Sequence, residues 1–135
     1  DKLAEYVKEF KDADVTLTVT ELPLQAAKTM FGHEISEADK SVTYAIGDNA
    51  NYVGYGFCAQ EIKGGEVSYT AAWLPKVKFG DPAESFTTKG DSITFGTPQV
   101  SGKAAADSTG KWKYKQTFAT KEEALTWLKG KASIA

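Results

Sequence analysis

Between Asp14 and Thr20 apolar and polar residues alternate without interruption, Val15, Leu17 and Val19 on one side and Thr16, Thr18 and Thr20 on the other. A period of two is that of a half-buried β-strand. The pattern then changes. Leu24, Ala27, Met30 and Phe31 form one helical stripe, with Pro23 placed where a first turn accepts it and Gly32 as the stop, which predicts a helix of two to three turns. Strands are expected next over residues 42–46, 52–60 and 67–74, the last two joined as a hairpin by a turn at Lys63-Gly64-Gly65. Two more half-exposed strands are expected where Ile93 and Phe95 oppose Ser92 and Thr94, and where Trp112, Tyr114 and Phe118 alternate with Lys111, Lys113 and Lys115. Between them, residues 73–104 read as strand-like runs punctuated by Pro75, Pro82, Gly90, Pro98 and Gly102, a scaffold with no catalytic grouping.

Near the end, Thr120 and Glu123 have the spacing of a capping box, so a helix starts there. It is expected to bury Ala124, Leu125, Trp127 and Leu128 against a sheet and to stop near Gly130. The first dozen residues fit a helix (Leu3, Tyr6, Val7, Phe10) and a ragged strand (Ala4, Tyr6, Phe10) equally well. No internal repeat or linker interrupts the pattern. The prediction is a mainly β, α+β domain: a β-sandwich or partly closed barrel of antiparallel strands, with one short internal helix and a flanking C-terminal helix.

Bulk properties narrow the function. At 135 residues the chain has the size of one domain, and 41% apolar with 25% charged residues is an ordinary globular composition. Sixteen basic against eighteen acidic side chains leave a formal charge of −2, which gives no general attraction to phosphate backbones or anionic lipid. Cys58 is the single cysteine, so no disulfide and no thiolate metal cage can form within one chain. No stretch approaches the roughly 20 apolar residues that span a bilayer, and the opening DKLAEYVKEFKDAD is too charged for a signal peptide.

Each candidate for chemistry has a plainer explanation. Gly54-Tyr55-Gly56 followed by Ala59 imitates a dinucleotide fingerprint, but the chain continues as strand into the Gly64-Gly65 turn and leaves no room for the helix that would meet a pyrophosphate. Strand glycines that admit a close aromatic ring or backbone are the simpler reading. His33, the single histidine, is expected to cap the helix ending at Gly32, where partial negative charge favours the imidazolium. No GxSxG elbow supplies a serine for it. Cys58 lies in an apolar strand and reads as an inert small hydrophobe. Asp48, Asn49 and Asn51 read as turn builders, and Glu122 and Glu123 as acids suited to a helix N-terminus. Lys111 to Lys115 interleave basic and aromatic residues like a single-strand-binding surface. Strand geometry, however, sends lysines and rings to opposite faces and favours a lysine-protected edge.

The segments DVTLTVTELPLQAAKTMFGHE and NYVGYGFCAQE, the 73–104 run with WLPKVKF and TKGDSITF, and the closing GKWKYKQTFATKEEALTWLKGKA carry a resemblance in their order and spacing. Together they resemble the major tail tube proteins of long, non-contractile-tailed bacteriophages and prophages over nearly everything after Ala13. The resemblance implies a single tube domain spanning residues 1–135, self-associating into stacked hexameric rings whose inward strands form one barrel wall. Other tail proteins would be its further partners. DNA would pass through the lumen without specific binding, and no catalysis, cofactor, metal or membrane insertion is implied. The setting would be a virion tail made in the bacterial host cytoplasm. Members of the family carry further N-terminal strands and an extended loop ahead of the position of Asp1, so an open sheet edge is expected here. Asp81, Glu84, Lys89 and Asp91 are the candidates for lumen or interface positions, and Trp73, Phe95, Trp112 and Trp127 for the structural core. Two rivals stand beside this reading: the tube of a tail-derived bacteriocin, and, from another class, a β-sandwich carbohydrate-binding module using the tryptophans.

Overall fold

The computed structural model describes residues 11–19, 22–81 and 99–134, together with the backbone of 86–89 and 92–95. The ambiguous opening segment therefore lies outside the described residues. The chain runs β1 (Ala13–Thr18), α1 (Leu24–Thr29), β2 (Glu34–Ser36), β3 (Ser41–Thr43), β4 (Tyr52–Lys63), β5 (Glu66–Phe79), β6 (Phe86–Lys89), β7 (Ser92–Phe95), β8 (Gln99–Ala104), β9 (Tyr114–Phe118) and α2 (Lys121–Ala132). Among the described residues the architecture is mainly β, all pairings are antiparallel, and two helices accompany the sheets, as the hydrophobic pattern predicts. One five-stranded sheet orders β1-β8-β5-β4 with β9 also on β5, and β2-β3 and β6-β7 form separate two-stranded ribbons.

Everything in the large sheet leans on the β4–β5 hairpin. Its turn is Gly64-Gly65, both at positive φ (57° and 83°) with Lys63 paired to Glu66, and a two-residue hairpin turn of this hand demands such backbone at both positions. β5 runs for 14 residues, straight through Pro75. A proline inside a strand removes a ladder donor and is confined to edges and bulges, and here the ladder shifts: Val53 faces Val77 but Tyr55 faces Leu74. Two residues of β5, Pro75 and Lys76, thus sit opposite Gly54. At that bulge β5 changes partner along its other side, from β9 (Tyr69–Trp73) to β8 (Val77–Phe79). Bulged strands that serve two neighbours are how a sheet turns a corner.

The two halves of β5 are covered differently. On the β8 half, Phe31, Leu74, Val77, Phe79, Val100 and Ala104 are buried together, with Ala13, Val15, Leu17, Leu22, Met30, Val53, Tyr55 and Trp112 packed around them. On the β9 half α2 lies over β5, β4 and β9. Thr120 accepts the Glu123 amide at 3.2 Å and donates to its carboxylate at 3.0 Å; this is the Thr half of the capping box expected from sequence, with the Glu123 carboxylate on the Thr120 hydroxyl in place of its backbone N–H. Ala124 is fully buried and Trp127 and Leu128 half-buried, whereas Leu125 is exposed, because a stripe on residues 124, 127, 128 and 131 turns position 125 outward. The helix also continues past Gly130 to Ala132, and Ser133 takes the left-handed closing conformation. Lys131 lies 4.1 Å over the Tyr114 ring and 5.3 Å from the Trp127 ring, which holds the last turn down.

Several expected elements are adjusted. The 42–46 strand is only Ser41–Thr43, paired with the unforeseen β2. α1 is six residues long, with Pro23 as its N-cap. β9 begins at Tyr114, so Trp112 does not alternate within it but packs against the β8-half core.

Glycine positions test this packing. A Cβ on Gly102 would sit 2.6 Å from Phe79 and 2.8 Å from the Lys78 carbonyl oxygen, whereas one on Gly130 would meet nothing within 4 Å. Gly102→Ala is expected to destabilise the fold by about 1–3 kcal/mol through overpacking. Gly130→Ala is expected to stabilise it by about 0.5–1 kcal/mol through helix propensity. Urea denaturation of the two variants measures both, and equal effects would contradict the assigned contacts.

Candidate functional site

Two features stand out from the ordinary surface: a buried histidine bound to two carboxylates, and a long sheet edge uncharged over its first nine residues.

His33 follows Gly32, which at φ 75° turns the chain out of α1. A side chain at Gly32 would collide with the Asn49 carbonyl oxygen, so the turn after α1 and the loop before β4 must touch. That loop is tied down by Asn51, whose amide side chain donates to the carbonyls of Lys28 and Thr29 and whose backbone N–H donates to Met30. The expected turn-building role of Asp48, Asn49 and Asn51 is present: Asp48 accepts the Ala45 N–H at 2.8 Å and Asn49 donates to Gly47. His33 is 7% exposed and does more than cap a helix. Its Nδ1 lies 2.7 Å from Asp48 Oδ2, and its Nε2 lies 2.8 and 3.0 Å from the two oxygens of Asp81. The Tyr44 ring packs beside it at 4.3 Å and Phe31 at 6.4 Å.

Two carboxylates on two ring nitrogens require both nitrogens to donate, which only the imidazolium does. The hydrogen bond to Asp48, then that to Asp81, raises the His33 pKa above its ordinary 6.5 against an opposing effect of burial. The bond from His33, and after it the Ala45 N–H, lowers Asp48 below its ordinary 3.8. Chemically this is an ion cluster. With both nitrogens engaged by its own chain, His33 has none left to take a substrate proton or bind a metal. Among the described residues no group of three His, Cys, Asp or Glu is placed to hold a metal ion.

The second feature is β4 itself. Its inner side pairs with β5, and among the described residues no strand pairs with its outer side. From Tyr52 to Gln60 it carries no charge and no proline, the two devices that usually protect an edge. Tyr52 (53%), Phe57 (43%) and Ile62 (68%) are exposed along it. Its motif Gly54-Tyr55-Gly56 serves packing: a Cβ on Gly54 would collide with the Trp73 ring, and one on Gly56 would lie 2.9 Å from both Trp73 and Leu128. The indole fills the space these glycines vacate.

The remaining predicted residues scatter. Asp81 sits just beyond β5 as the His33 partner, Lys89 ends β6 opposite Ser92, and Glu84 and Asp91 lie outside the described residues. Phe95 pairs with Phe86 at the backbone level. Trp73, Trp112 and Trp127 are each half-buried, Trp127 against Phe118 at 5.9 Å. The Lys111–Lys115 alternation breaks up, with Lys113 standing over the Trp112 ring at 6.0 Å. Cys58 is half-buried in β4.

On the polar face of the sheet, Asp14, Lys103, Lys78 and Tyr52 line up across four strands. Facing lysines repel. Asp14 accepts from Lys103 and raises its pKa, while Lys78 lies 4.4 Å over the Tyr52 ring. The row is thus internally compensated rather than a phosphate-reading patch. No helix among the described residues is long and apolar enough to cross a membrane.

No family model, curated protein or solved structure matches the chain.

The ion cluster fixes a pH dependence. Because the folded state holds the His33 proton more tightly than the unfolded chain, that stabilisation is complete below about pH 6.5 and disappears as pH rises through the raised folded value. Asp48 has the opposite sign: its contribution is complete above about pH 3.8 and disappears as pH falls through the lowered folded value. Urea midpoints measured across the pH range should fall on both flanks, and His33→Gln should remove the alkaline fall. A wild-type midpoint that does not change above pH 6.5 would overturn the assignment.

Proposed function

We propose that this chain is a structural subunit of a phage tail tube, joining copies of itself into stacked hexameric rings that conduct DNA, with no catalytic step. Two things support the reading: the resemblance over nearly the whole chain after Ala13, and one structural observation that carries it. That observation is β4, a 12-residue edge strand, uncharged for its first nine residues and flanked by exposed Tyr52, Phe57 and Ile62. Such an edge is a template for another strand.

The other end of the sheet is β1, a strand of different length and sequence. Unlike edges favour head-to-tail contacts, and a head-to-tail contact closes into a ring when its rotation permits. A formal charge of −2 suits a conduit that must pass DNA without holding it. The tube of a tail-derived bacteriocin would use the same assembly. Against a carbohydrate-binding module stands the packing of the three tryptophans, Trp73 over Gly54 and Gly56, Trp112 on the β8-half core and Trp127 on Phe118.

Assembly is the decisive measurement. Electron micrographs and sedimentation of the concentrated chain, with a tail tube N-terminal segment added in a parallel sample, are expected to show rings or filaments. Phe57→Lys with Ile62→Lys should leave the monomer folded and abolish them, since charge on an edge opposes strand pairing. A chain that stays monomeric in both samples at high concentration would end the proposal.

A further inference from the structure

The His33 cluster occupies a telling place. Asp48 lies four residues before β4 begins and Asp81 two residues after β5 ends, so the imidazolium bridges the open end of the central hairpin, opposite its Gly64-Gly65 turn. The two bridges are unequal. Asp48 is 19% exposed and also accepts the Ala45 N–H, whereas Asp81 is 49% exposed. Among the described residues the groups facing His33 are the Asp48 carboxylate from the loop before β4, the Asp81 carboxylate beyond β5, and the Tyr44 and Phe31 rings.

The geometry points to a proton-operated staple: protonated His33 fastens both ends of the β4–β5 hairpin, and loss of its proton releases the Asp81 end while the Asp48 end stays closed. Neutral imidazole donates from one nitrogen and presents a lone pair at the other. Two carboxylates cannot both be satisfied. The retained N–H goes to Nδ1, because Asp48 is the more buried partner and is already fixed by a second donor, and the lone pair on Nε2 then opposes the Asp81 oxygens. Asp81, with water at hand, turns away. The hydrogen bond beside it, from Gly80 N–H to the Ser101 carbonyl at 2.9 Å, loses its support, so the junction between β5 and β8 opens at its end. The device is independent of ring assembly, and its test reads the monomer.

The test uses the ¹⁵N-labelled 135-residue chain. Imidazole ¹⁵N shifts followed against pH should show both nitrogens protonated at pH 6, with Nε2 the one that loses its proton as pH rises. Over the same range the Gly80 amide, corrected for intrinsic base catalysis, should exchange about tenfold faster, as local opening predicts. In Asp81→Asn the side-chain amide can either accept from or donate to Nε2, so the Gly80 step should vanish. A lone pair on Nε2 at pH 6, deprotonation at Nδ1, or an unchanged Gly80 amide in wild type would each overturn the inference. So would an equal step in Asp81→Asn, and the wild-type titration decides alone if that variant does not fold.

Discussion

The structure depends on one strand serving two neighbours along the same side. β5 must pair with β9 over Tyr69–Trp73 and with β8 over Val77–Phe79, and the handover falls on Pro75 and Lys76. Proline has no N–H to lose there. Gly54 opposite gives the bulged strand room, and Trp73 lies over it. The proline and the glycine, each unfavourable in a regular strand, are favourable together where the ladder is broken. From this follows the division of the apolar core, one part under Phe31 and Trp112 and another beneath α2.

A hairpin of this length has two ends to hold. The turn end is held covalently by Gly64-Gly65, whose positive φ values fit the strand twist. The open end has no such link, and β4 there begins from a loop while β5 runs out beyond Phe79. Fraying concentrates at such ends. The charge-assisted bonds of His33, itself only 7% exposed, tie the two exits together. Because the bonds need both carboxylates ionised and the ring protonated, the same chemistry that closes the hairpin also makes its closure conditional on pH.

Local signals in the sequence were legible where they act locally. The alternation in β1 as far as Thr18, the Gly-Gly hairpin turn, and the Thr120 cap on the Glu123 amide each involve residues a few positions apart, and each is present. What escaped depends on distant partners. β8 holds one large apolar residue, Val100, because Gly102 lies beneath Phe79 and Ala104 faces Val77; its burial is written in β5. Pro75 reads as a stop until a register shift accommodates it. Gly130 reads as a helix end, yet Lys131 on Tyr114 and Trp127 carries the helix past it. The pairing of His33 with Asp48 and Asp81 spans 15 and 48 residues, and a lone histidine among many acids gives no spacing by which to find them. Its nearest clue was the turn chemistry around Asp48, which correctly fixed one partner's loop.

The uncharged edge and the compensated lysine row are best understood together. A chain with sixteen lysines had charge to spend on protecting β4, as edge strands commonly require. Instead Lys76 and Lys78 lie on the neighbouring strand, folded over Tyr52 at 4.6 and 4.4 Å, and Lys103 is held by Asp14. Charge is thus kept on the sheet's polar face, where it opposes face-to-face stacking, and off the first nine residues of the edge, where it would oppose strand addition; on β4 only Glu61 and Lys63, beside the turn, are charged. A surface arranged only for solubility has no reason to discriminate between the two. One that must add strands sideways without stacking its faces does, and that asymmetry supports the proposed self-assembly in the plane of the sheet.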